Sequence, residues 1–61
     1  MILTLQQRII VSHALTGLSY YQRDEAEKYI ADVLRPKREI ADTDVNHAIA
    51  AALHRVMGRA A

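Results

Sequence analysis

The stretch from Leu3 to Leu18 is apolar on nearly every side, and this limits what the chain can fold into. Ile2, Leu5 and Ile9 form one stripe at helical spacing. Leu3, Ile10, Ala14 and Leu18 form a second, with Val11 and Leu15 on its flank. A surface helix shows one apolar stripe and one polar face. A helix apolar on two sides needs neighbours on two sides, and a chain of 61 residues has few to offer. The missing cover is expected from another chain.

Length sharpens the point. Residues 1–61 make a single helical domain with no room for a second. A domain of this size buries only about 60% of its unfolded surface and is marginal alone. Such scaffolds lean on a disulfide, a metal or a partner. The chain has no Cys, so disulfides, zinc thiolates and cysteine nucleophiles are excluded. Metal ligation would fall to His13, His47, His54 and the carboxylates. Oligomerisation is the remaining route to stability.

Charge gives little direction. Eight Lys and Arg stand against seven Asp and Glu. The pI of about 8.2 lies below the ~9 of dedicated nucleic-acid domains. No apolar run approaches the ~18 residues of a membrane span. Met1-Ile2-Leu3-Thr4 lacks the basic segment of a secretory signal, and no lipidation signal is visible. A cytoplasmic protein with no membrane partner is the expectation.

Punctuation divides the chain into three helices. Thr4-Leu5-Gln6-Gln7 and Ser19-Tyr20-Tyr21-Gln22 both fit a capping box. Gly17 is expected to end the first helix in a left-handed conformation. Pro36 disfavours helical geometry at Arg35 and ends the second. Its buried stripe is Ala26, Tyr29, Ile30, Val33 and Leu34, and Asp24, Lys28 and Asp32 form an outer charge ladder. Asp42 or Thr43 caps the third helix, along which Val45, Ala48, Ile49, Ala52, Leu53 and Val56 recur. Gly58 ends it, with Arg55 and Arg59 near its negative end. The expected fold is all-α, a compact three-helix domain with helices over about 5–16, 20–35 and 43–57. The first helix forms its centre and continues into a self-associating interface, by default a C2 dimer.

Candidate sites follow from this layout. Ile2, Leu5, Ile9 and His13 are the expected oligomer interface, with Ile10, Ala14 and Leu18 turned towards the other helices. The spacing alone leaves the two stripes interchangeable. His13 lies between them and is a candidate buried polar residue that fixes register. A histidine at the rim of the core is the plainer reading. His47 and His54 share a face but stand roughly 10 Å apart along the axis, too far for one metal, so solvated surface histidines are favoured. No cofactor is implied.

Tyr21 with Arg23 is a candidate partner contact, since Tyr and Arg are enriched at binding hot spots. Arg35, Lys37 and Arg38 are the candidate nucleic-acid contact, on phosphates. Glu39 and Asp42 partly cancel them, and a solvated loop is the plainer reading. A helix-turn-helix centred on Gly17 fits poorly, because His13 and Arg23 stand where that motif takes a small and an apolar residue. Ser12 and His13 diverge on a helix, and both glycines are read as helix stops, so no catalytic or phosphate-binding arrangement is visible. The expected function is a small non-enzymatic regulatory or adaptor protein that acts by protein–protein interaction as a homo-oligomer. A dimeric DNA-binding regulator is the second choice. Salt dependence separates the two.

Overall fold

A computed structural model describes residues 3–58. It is an all-α, three-helix domain, with no strand among the described residues. The helices are α1 (Leu5–Ala14), α2 (Tyr20–Leu34) and α3 (Asp42–Gly58).

Both capping boxes form. Thr4 Oγ1 accepts from the Gln7 N–H at 3.1 Å, and Gln7 Oε1 accepts from the Thr4 N–H at 3.0 Å. Ser19 and Gln22 repeat the exchange at the start of α2, at 3.3 and 3.2 Å. Each box satisfies two backbone donors that a helix start otherwise leaves orphaned.

The helix ends differ from expectation. α1 stops at Ala14, and no described glycine has a positive φ, so Gly17 supplies no left-handed cap. After the Leu15 N–H bonds the Val11 carbonyl, the chain tightens. Thr16 N–H reaches the His13 carbonyl and Leu18 N–H the Leu15 carbonyl. The Thr16 hydroxyl also donates to the Ser12 carbonyl at 2.8 Å, satisfying an acceptor of the last turn. Arg35 keeps helical angles (φ −54, ψ −43) despite the proline after it. Pro36 therefore ends α2 by lacking an N–H, not by holding Arg35 out of the helix.

Neither Asp42 nor Thr43 caps α3. Both lie inside it, and Ala41 precedes it. The Asp44 carboxylate accepts the Ala41 N–H at 3.0 Å, which is the returning half of a capping box. That hydrogen bond is the main reason the Asp44 carboxyl titrates below its ordinary value, with Lys37 adding to it. At its other end α3 runs through Gly58 without a left-handed turn. Arg59 lies outside the described residues.

The centre of the domain is α3, not the first helix. α3 packs closely along α2 and more lightly against α1, while the backbones of α1 and α2 stay apart. The core is Ala26, Ile30 and Leu34 from α2, Val45, Ala48, Ile49, Ala52 and Val56 from α3, and Leu15 from the turn after α1. Leu3, Ile10, Val11, Ala14 and Leu18 pack half-buried against it. The second stripe of the first helix thus faces its own chain, and the deepest residue is Leu15 from the expected flank. Of the α2 stripe, Tyr29 and Val33 are marginal, one half-buried and one exposed.

Candidate functional site

The folding of α1 onto α3 by one face leaves its other face open. Leu5 is 75% exposed and Ile9 48%. The two are four apart, so they stand one turn above each other. The expected interface residue His13 is also exposed, and Ile2 lies outside the described residues.

The buried polar residue of α1 is Gln7, 4% exposed, and not His13. Its amide oxygen closes the Thr4 box. Its Nε2 donates to the Ile40 carbonyl at 3.0 Å and to Asp42 Oδ1 at 3.2 Å. One side chain therefore caps α1 and ties it to the start of α3. The capping motif marks the first role in sequence. The second depends on partners 33 and 35 residues away.

A groove of about 270 Å³ opens where α1 and α2 diverge. Leu3, Val11 and Leu15 form its apolar floor, and Arg8, Arg23 and Glu27 stand on its rim. Arg23 reaches across to the Thr16 carbonyl at 3.4 Å. Among the described residues, Arg8, Arg23 and Glu27 make no ion pair. Arg23 and Glu27 are four apart with the cation first, the weaker orientation for such a pair. Sequence reasoning missed this groove. It is built from residues of two helices, and no local pattern in the sequence marks it.

Tyr21 and Arg23 do not come together. Arg23 belongs to the groove, whereas Tyr21 is exposed and meets the Tyr20 ring edge-on at 5.7 Å. The basic connector is largely neutralised by its own chain. Arg35 pairs with Asp32 at 3.0 Å and Lys37 lies 3.6 Å from Asp44. Arg38 makes no ion pair among the described residues. Lys28 pairs with Asp24 and Asp32 with Arg35, so the expected three-residue ladder is not formed. Arg55, in the last turn of α3, stacks over the Tyr29 ring at 5.3 Å and locks α2 to α3 at their edge.

His47 and His54 are both exposed on α3. No described helix is long and apolar enough to cross a membrane. No protein-family model, curated protein or solved structure matches this chain.

Proposed function

We propose that this is a small, non-enzymatic cytoplasmic regulatory or adaptor protein that works as a homo-oligomer, associating through the open face of α1. One observation carries the reading. Leu5 and Ile9 present adjoining aliphatic side chains to solvent on a helix whose opposite face is already committed to the core. A core this small leaves a lone chain marginal, and association that covers α1 adds stability by mass action. His13 lies four residues beyond Ile9 and would border the same contact. The self-paired cations Arg35 and Lys37 support a protein partner over a phosphate backbone.

Light scattering over a concentration series tests this. The wild-type chain is expected to be a dimer that dissociates only on strong dilution. Ile9→Asp would place two carboxylates in the symmetric contact and raise the dissociation constant by about 100-fold or more. Because Ile9 lies outside the core, the variant monomer should stay folded, at a cost of about 1 kcal/mol or less. A wild-type chain that is monomeric at every concentration overturns the reading. Association that survives moderate salt would separate it from binding to nucleic acid.

A further inference from the structure

The groove between α1 and α2 lies beside the exposed stripe of the same helix. Ser12 lines the groove and is three residues from Ile9, and Arg8 on its rim is three residues from Leu5. Residues three apart on a helix are surface neighbours. A raised aliphatic ridge and a recessed aliphatic slot therefore adjoin on one patch. The slot, about 270 Å³ in volume, is an open groove with an aliphatic floor. Such a floor matches inserted aliphatic side chains.

The rim points to the occupant. It carries Arg8, Arg23 and Glu27, with no ion pair among them. The rim carries both signs of charge, two arginines and one glutamate, so a partner that also carries both signs can pair with more of it than a purely acidic or purely basic one. A second copy of this surface offers a ridge, a slot and both signs of charge, the elements that an isologous C2 contact needs. α1 has no acidic residue, so among the described residues lining the groove the one carboxylate that can meet a facing arginine is Glu27 of α2.

We propose that the groove receives the Leu5–Ile9 ridge of a second copy of this chain, with Glu27 of each copy paired to Arg8 of the other. This rests on the self-association proposed above and specifies its geometry. The aliphatic contact supplies the affinity. The two symmetric ion pairs fix the orientation, because rim charges mainly select the partner and register.

A charge exchange tests it. Arg8 and Glu27 are both exposed, so Arg8→Glu and Glu27→Arg are expected to leave the fold and its circular dichroism unchanged. In each variant homodimer, two like-charge contacts replace two attractive ones. Each should dimerise roughly 10- to 100-fold more weakly than wild type. An equimolar mixture of the two variants restores attraction at both contacts. It should form a heterodimer within about threefold of wild-type affinity. Ser12→Trp, an exposed position on the groove wall, should fill the slot and give a folded monomer. If wild type dimerises while the charge variants and Ser12→Trp dimerise equally well, the groove is not the contact, although self-association stands. A monomeric wild type overturns both.

Discussion

α2 and α3 meet along their facing stripes, whereas α1 is pinned to them near its two ends. Of the nine buried apolar side chains among the described residues, eight come from α2 and α3. The ninth, Leu15, follows α1 rather than belonging to it. Within α1 the only buried residue is a polar one, Gln7. The α2–α3 pair is therefore held by apolar burial over its length. α1 is held by a hydrogen-bonding clamp at Gln7, an anchor at Leu15 and half-buried contacts between them. A ten-residue helix is not stable in water by itself. The difference teaches that a helix with aliphatic residues on two sides can contribute none of the fully buried apolar side chains of its own chain, and so has surface left for another.

That contrast breaks most sharply at the two leucines buried at its two ends. Leu34 and Leu15 are both essentially inaccessible to solvent. Truncating either to Ala should cost about 2–5 kcal/mol. The loss should be distributed differently. Leu34→Ala weakens the α2–α3 contact on which all else is built, so amide exchange should accelerate in all three helices together. Leu15→Ala loosens the anchor of α1, so exchange should accelerate first in α1, as a locally opening unit. Equal acceleration of α1 and α3 amides in Leu15→Ala would show that α1 is not a separable layer.

The clamp is the next test in size. Gln7→Ala leaves the Ile40 carbonyl and the Thr4 N–H without their side-chain partner. Losing such partners costs about 1–3 kcal/mol. A substitution at exposed Gln6, the adjacent residue, should cost no more than about 0.5 kcal/mol. Denaturant melts of Gln7→Ala and Gln6→Ala compare the two. Indistinguishable midpoints would mean that the clamp adds nothing and that the half-buried contacts alone dock α1.

Much of this architecture was legible in sequence, and the remainder was hidden for identifiable reasons. The α3 stripe was readable because five of its positions, Val45, Ala48, Ile49, Ala52 and Val56, are buried at helical spacing. Both capping boxes were readable because their partners are three residues apart. The second role of Gln7 was not, because its Nε2 partners lie on the far side of α2 in sequence. The choice of α3 as the central helix was hidden for a related reason. Hydrophobic pattern measures how much a helix could bury, not how many neighbours it receives. On the site side, the Leu5–Ile9 stripe was visible as a pattern, but spacing alone left open which of the two stripes faces the chain's own core. The groove was not, since it arises from the divergence of α1 and α2, which no local pattern records.

The smallest expected effect concerns the turn that joins the two regions. Gly17 looks in sequence like a left-handed helix stop, for which a β-carbon is unfavourable. In the structure its φ is not positive, and a β-carbon there would meet nothing within 4 Å. Termination of α1 rests instead on the Thr16 hydroxyl and the three-residue turns that follow it. Gly17→Ala should then narrow the unfolded chain's freedom without straining the native one, and stabilise by about 0.4–1 kcal/mol. A left-handed Gly17 in solution would give the opposite sign, because Ala at positive φ is strained by more than that gain. The sign of one melting-temperature difference therefore decides how α1 ends. It also decides whether the short link from α1 to α2 is held by glycine's special geometry or by hydrogen bonds that any small residue would permit.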